Sequence, residues 1–447
     1  MFYILLIVCL LVALLFCIAG CGKEPEQDDG LITLTITAFE DYYGLDLYAR
    51  EYERENPNVK VVVNQPIRAN DSGYLAAMAN YSKHLQTALM TNTADDILCT
   101  DFVDYYKYAD SGLLADIYPF LENDPDFNED DYFMNVIEAF KYKGGLYNFP
   151  LNFNVQLIGV NLHINNELVD AFKKYDKVSV WDLLDLYQKF NPSQYYLYEN
   201  FNPPRLLLAE IDSFVDREKG ACDFINKRFL DLLNNSHIAT AKSYDWRFEE
   251  YYDAWFSLEA ETELSKKYMF QRVGKDSFQY IIPQKEDKNF THFIPLASDD
   301  GKVMISTVFA PTQIAVSMGS KHKEAAWGFI KYLIQARESA YHGINSMRIN
   351  KSATEEVFAK DIQMFFNQPN LSELGIMFAE DKENSLKAGV EKIMKINSMP
   401  MHYAGSWVMY HYDNEFWDIF DQYRLGFMTA EQVASWLQNR TELRLKE

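Results

Sequence analysis

Two places in this sequence set carboxylates where chemistry is commonly done. The alternating run Ile32-Thr33-Leu34-Thr35-Ile36-Thr37 is followed by Glu40 and Asp41, and the apolar run ending at Cys99 is followed by Asp101, with Phe102 and Tyr105 close behind. Groups just past the C-terminal ends of strands lie where open α/β sheets form their ligand crevices. A carboxylate there accepts hydrogen bonds and a ring offers a flat apolar face, so the combination is suited to holding a small ligand. The residue patterns of the common catalytic classes are missing from the sequence. It has no His-Glu-x-x-His and no Gly-x-Ser-x-Gly, and Val273-Gly274-Lys275-Asp276 lacks the upstream glycine and the hydroxyl of a phosphate loop. Asp126-Phe127-Asn128-Glu129-Asp130 begins like a calcium loop, but Asp131 stands where glycine is required and Ile137 where the bidentate Glu belongs. The eight histidines show no metal-ligand spacing. Adjacent pairs such as Glu249-Glu250 and Asp299-Asp300 cannot flank a scissile glycosidic bond at the ~5–9.5 Å that mechanism needs.

The elements that must position these groups follow from periodicity. Ile32, Leu34, Ile36 and Ala38 alternate with threonines, which predicts a strand. A helix is expected over about 45–55, stopped by Asn56-Pro57, and then a β-branched strand, Val59–Val63. Strand, helix, strand predicts a parallel βαβ opening. The alternation continues with a helix near 74–91, a strand at Asp96–Cys99, a helix near 104–111 and a strand around Val155–Asn161. Ser179 reads as the N-cap of a helix carrying Asp182. Positions 326, 329, 330 and 333 give a helical stripe, and Thr429-Ala430-Glu431-Gln432 is a capping box that opens the last helix.

Composition sets the class. At 447 residues the chain fits two or three domains, and 48% hydrophobic residues with 31 Phe, 30 Tyr and 7 Trp supply a large core. The net charge of −23 argues against nucleic acid as a partner, because phosphate backbones need clustered cations. Residues 1–20 carry no charge and form an apolar leader of the secretory kind, although the usual basic residue at its start is missing. The leader ends in Ile18-Ala19-Gly20-Cys21, which resembles a bacterial lipobox, so residues 1–20 are expected to be a signal peptide and Cys21 the lipidated mature N-terminus. An uncleaved membrane anchor is the alternative, since the run is close to the minimum span of about 17–20 residues. Residues 21–30, polar and acidic, read as a tether. Cys99 and Cys222 then remain in the folded body; Cys99 lies in an apolar run and reads as a small buried hydrophobe.

Four segments carry a family resemblance. They are Thr35–Val63 with its Glu55-Asn56-Pro57-Asn58-Val59-Lys60-Val61, then Ser111-Gly112-Leu113-Leu114-Ala115-Asp116-Ile117, then Ile314–Ser317 with Ser320–Lys331, and finally the tail with Met399-Pro400-Met401, Trp407 and Thr429–Arg440. In this order the chain resembles the extracellular solute-binding lipoproteins that feed sugar importers driven by ATP, the family that includes maltose-binding protein. The resemblance implies an α/β fold of the two-lobed periplasmic-binding-protein type (type II), with discontinuous lobes joined by hinge strands. Lobe 1 is expected at 31–152 plus 300–345 and lobe 2 at 153–299 plus 346–447, with crossings near Pro150–Val155, Pro295–Gly301 and Gly343–Arg348.

The same resemblance implies a carbohydrate ligand in the cleft, ABC-transporter permease subunits as partners, membrane attachment through the N-terminal lipid, a monomer, no cofactor and no enzymatic activity. A cell-surface glycan-active hydrolase is the alternative. Sugars present C–H faces and a rim of hydroxyls, so rings, carboxylates and amides are the groups such a site needs. To Glu40, Asp41, Asp101 and Phe102 the resemblance adds Asn152 and Asn154 at the first hinge, of which one should point into the cleft. It also adds Asn200 in a loosely matching loop, Gln271 in a loop after a short strand at 268–270, and Trp407 as a stacking platform.

Overall fold

The computed structural model describes residues 30–39, 44–67, 74–101, 103–190, 195–197, 207, 210–239, 268–273, 284–286, 290–306, 313–335, 347–366, 377–378, 382–403, 405 and 414–446. Along the chain the strands are β1 (Ile32–Thr37), β2 (Val59–Asn64), β3 (Ile97–Cys99), β4 (Phe149–Pro150), β5 (Asn152–Val155), β6 (Leu157–Asn161) and β7 (Val178–Ser179). The short hairpin of β8 (Val215–Asp216) and β9 (Ala221–Cys222) comes next, then β10 (Phe270–Val273), β11 (Gln284–Glu286), β12 (Phe290–Ala297), β13 (Val303–Ser306), β14 (Gln313–Val316), β15 (Met347–Arg348), β16 (Met377–Phe378) and β17 (Met401–Tyr403).

The opening βαβ unit forms as the sequence predicts. β1 runs parallel to β2, from Ile32 opposite Val59 to Thr37 opposite Asn64, and parallel to β3 on its other side. The connecting helix Leu45–Glu55 buries Leu45, Tyr48, Ala49 and Tyr52, an i, i+3, i+4, i+7 stripe, and ends where Asn56 hydrogen-bonds back to the carbonyl of Tyr52 ahead of Pro57. Helix Tyr74–Met90 returns the chain to β3. With β14 and β4 added antiparallel, the first sheet has the order β2-β1-β3-β14-β4. The second sheet has the order β10-β6-β12-β13-β5-β15, with β17 beside β13 and β7 beside β12. Two cores form: the first gathers Leu34, Ile36, Leu98, Phe149, Phe329 and Ile330 around the first sheet together with Phe153, Val155, Val303 and Ile305 of the second, and the other core, with Ile158, Val160, Leu183, Phe224, Val433 and Leu437, belongs to the second sheet alone. The cap at Ser179 forms, its hydroxyl and amide exchanging hydrogen bonds with Asp182, and so does the capping box at Thr429 and Gln432. Cys99 is buried and free, and Cys222 is free as well.

Among the described residues the chain passes between the sheets three times. The first passage is at Leu151, between β4 and β5, the second between Ser306 and Gln313, and the third between Gln335 and Met347. The second lies further along than Pro295–Gly301, because β12 and β13 form a hairpin that keeps the chain in the second sheet through Ser306. Gln271 also differs from expectation. It sits inside β10 rather than in a loop, since Phe270–Val273 pairs antiparallel with Leu157–Val160 and that ladder takes up the backbone groups a loop would leave to water.

Candidate functional site

The parallel strands β1 and β3 finish side by side, and the fully buried Tyr81 ties their ends together. Its hydroxyl lies 3.1 Å from the carbonyl oxygen of Thr37 and 2.8 Å from that of Cys99. Phe39 packs edge-on against the same ring, at 5.5 Å between centroids. Burial pushes the Cys99 thiol and the Tyr81 phenol upward, and the charge of Asp101 adds to both shifts. Asp101 itself is half-buried in the turn closed by the hydrogen bond from the Val103 amide to the Thr100 carbonyl.

From Thr100 a buried chain of polar side chains crosses to the second sheet. The Thr100 hydroxyl donates to Asn148 Oδ1 at 2.6 Å, Asn148 donates to Gln313 Oε1, and Gln313 Nε2 donates to the Tyr403 hydroxyl at 3.0 Å. All four residues are buried, and the Tyr403 ring stacks on Phe140 at 4.1 Å. Gln313 stands on β14 of the first sheet and Tyr403 on β17 of the second, so this relay joins the two halves. Beside it Phe133 donates its amide to the Ile349 carbonyl, and the Asn135 side chain donates to the carbonyls of Asn397 and Met399.

A second contact between the halves is ionic. Arg217, in the turn of the β8–β9 hairpin, pairs with Asp104 at 2.7 Å and lies over the Tyr106 ring at 4.5 Å. The Tyr142 hydroxyl, 2.8 Å from an Asp110 carboxylate oxygen, also lies 3.3 Å from the Arg217 carbonyl, and the Lys143 amide donates to Glu218. Burial works against the Arg217 charge, but Asp104, Tyr106 and Asp212 outweigh it and hold the guanidinium firmly protonated. Burial and the neighbouring Asp212 and Tyr403 push the Tyr106 phenol up. Gly405 packs so closely on the Tyr106 hydroxyl that a Cβ would collide with it. Tyr105 is buried with one face covered by Tyr106 at 4.1 Å, so its ring is part of the core. Nearby, Asp212 lies 3.4 Å from His402. Glu210, 2% exposed, has its carboxyl pushed up to about 7 by burial and by Asp212, against the pull of Arg228 and Ser213.

Of the residues expected to bind, Asp101 stands at the β3 end, next to the relay. Asn152 and Asn154 are buried on β5, opposite Arg348 of β15 and Ser306 of β13 respectively. Being two apart on a strand, their side chains share a face, while Phe153 and Val155 enter the first core from the other. Gln271 pairs with Gly159, five residues or ~16 Å along the strand from Asn154, and is not brought to the others. Cys21, Glu40, Asp41, Phe102, Asn200 and Trp407 lie outside the described residues.

Comparison with known proteins decides the family. The profile of the bacterial extracellular solute-binding proteins matches residues 48–365. The chain belongs to that family. Among curated proteins none matches. Solved structures share the fold of this solute-binding protein at low identity. The sugar-binding protein MalE of Xanthomonas citri is 16% identical with a TM-score of 0.54, covering 93% of this chain and 97% of its own. The periplasmic oligogalacturonide-binding protein of Yersinia enterocolitica is 12% identical with a TM-score of 0.53, covering 93% and 99%. UspC of M. tuberculosis is 16% identical at 0.53, covering 92% and 100%. The solute-binding protein is thus of the MalE type, with the two-lobed type II fold, and its family places it outside the cytoplasmic membrane.

Sequence reasoning missed the Thr100–Asn148–Gln313–Tyr403 relay and the Asp104–Arg217–Tyr106 contact, whose members lie far apart in the chain. A signal existed only for Asn148 and Gln313, polar residues set among apolar ones, Asn148 ahead of Phe149-Pro150 and Gln313 ahead of Ile314-Ala315-Val316.

Proposed function

We propose that this protein captures a sugar or oligosaccharide and hands it to the permease subunits of an ABC importer, working as a monomer without turning the ligand over. A lipid on Cys21 holds it to the outer face of the membrane, with residues 21–30 as the tether. Lobe 1 is built around the first sheet and lobe 2 around the second, the division falling at the three passages between them. The observation that carries this reading is the junction itself. The Asp101-bearing end of β3 and the amide-bearing β5 belong to different sheets, and one buried relay links their surroundings across a three-strand crossing. A ligand bound between such lobes selects the closed arrangement by its higher affinity for it. That MalE of X. citri is a sugar-binding protein and the Y. enterocolitica protein binds oligogalacturonide supports a sugar ligand here.

The test is a thermal-shift screen of the chain from Glu24 onward against mono-, di- and oligosaccharides, amino acids, peptides and polyamines. Stabilisation by mass action is expected from saccharides. Stabilisation by amino acids or peptides alone contradicts the sugar reading, and consumption of a bound glycan favours the hydrolase.

A further inference from the structure

The alternation that puts Asn152 and Asn154 on one face carries on to Gln156. Phe153, Val155 and Leu157 belong to the first core, and Ile158 and Val160 to the second, so the side-chain alternation runs unbroken through Gln156 and places it on the face of the two asparagines. Three carboxamides at i, i+2 and i+4 therefore form one row, ~13 Å long at the usual strand rise. The neighbouring strands extend the same face. Ser306 is opposite Asn154, and Met304, two residues from Ser306 on β13, is opposite His402 of β17. Met304 is buried with the second core on this face, and His402, beside Asp212, keeps a quarter of its side chain exposed.

Two members of the row hold buried acceptors with nothing to accept from. Asn152 Oδ1 and Gln156 Oε1 have no hydrogen-bond partner among the described residues. Buried polar groups are nearly always paired, and leaving one unpaired costs more than a paired one returns. An acceptor is satisfied by a donor, and a row of acceptors longer than one pyranose ring is satisfied by successive hydroxyls of a chain of sugar units.

We infer that Asn152, Asn154 and Gln156 form a single carboxamide row that accepts hydroxyl donors from a neutral oligosaccharide of at least two units, with Gln156 a ligand-contacting residue. This rests on the proposed sugar-binding function and narrows its ligand. The test is calorimetric titration with glucose, maltotriose, cellotriose and raffinose on the wild type, Gln156→Met and Gln156→Glu, with the melting temperature of each protein free of ligand. At least one trisaccharide should bind far more tightly than glucose. Gln156→Met should weaken it about tenfold while leaving the free protein as stable or more so, because the substitution removes an unpaired polar group. Gln156→Glu, which keeps an acceptor oxygen in place, should retain most of the affinity. Unchanged affinity in Gln156→Met overturns the inference, and so does a fall in melting temperature with affinity intact. Equal binding of glucose and the trisaccharides overturns the length of the row alone. If none of the four sugars binds while an amino acid or polyamine does, the sugar reading itself has failed and this inference falls with it.

Discussion

Replacing Tyr403 with Phe removes one oxygen from the centre of the junction and leaves the ring on Phe140. In the native protein Gln313 Nε2 donates to that oxygen at 3.0 Å, and the hydroxyl lies 3.2 Å from Gln313 Oε1. After the change Oε1 still accepts from Asn148, but the Nε2–H that pointed at the hydroxyl loses that acceptor in a place where water cannot replace it, since Gln313 is 1% exposed. Removing one partner of a buried hydrogen bond costs about 1–3 kcal/mol. At roughly 2–4 °C per kcal/mol for lobes of this size, the melting temperature should fall by roughly 2–12 °C. The partner change Gln313→Leu should cost at least as much, since it also strips Asn148 of its acceptor. The double variant should cost clearly less than the two singles added, because removing both ends of a hydrogen bond is far cheaper than removing one. Denaturant unfolding of the four proteins gives this cycle directly. Strict additivity, or a Tyr403→Phe variant as stable as the native protein, refutes the claim that the relay holds the two sheets together.

Three further outcomes are expected, two from the geometry of the junction and one from the lipobox-like sequence at Cys21. Arg217→Ala strips Asp104, about a quarter exposed, of its counter-ion and uncovers Tyr106. A loss of about 2–4 kcal/mol is expected, below the full range for a buried pair because Asp104 regains some water, and an unchanged denaturation midpoint contradicts the contact. Glu210 has a folded-state pKa raised above its unfolded one, so the protein binds its proton more tightly when folded. Stability from this group is therefore fully present below about pH 4.5 and is lost as pH rises through about 7; Glu210→Gln should flatten that part of the stability–pH curve, and an unaltered slope there contradicts it. Cys21→Ala should leave the protein unlipidated, as precursor or shed to the medium, whereas membrane retention through a high-salt wash indicates an uncleaved anchor.

Much of the first sheet was legible because its signals are local. Alternating Ile32–Thr37, the Asn56-Pro57 stop and the apolar Ile97–Cys99 each fix an element without reference to distant residues. Gln271 was misplaced for the opposite reason: β10 exists through its pairing with Leu157–Val160, more than a hundred residues earlier. The site divides likewise. The position of Asp101 just past a strand was legible from the apolar run before it, and that of Asn152 and Asn154 at a passage between the sheets from the family pattern; their role in binding is the proposal above. Arg217 could not, because nothing near the β8–β9 turn announces that it will meet Asp104 on the other half. Gln156 was hidden among hydrophobic neighbours and became visible only when the cores on the two faces of its strand were told apart.

Small-angle scattering with and without a saturating saccharide found by thermal shift tests the central claim, that a solute is held between two lobes that close on it. The radius of gyration is expected to fall on ligand addition, and Tyr403→Phe should alter the size of that fall. A radius unchanged at saturation, with binding verified by calorimetry on the same sample, contradicts the account.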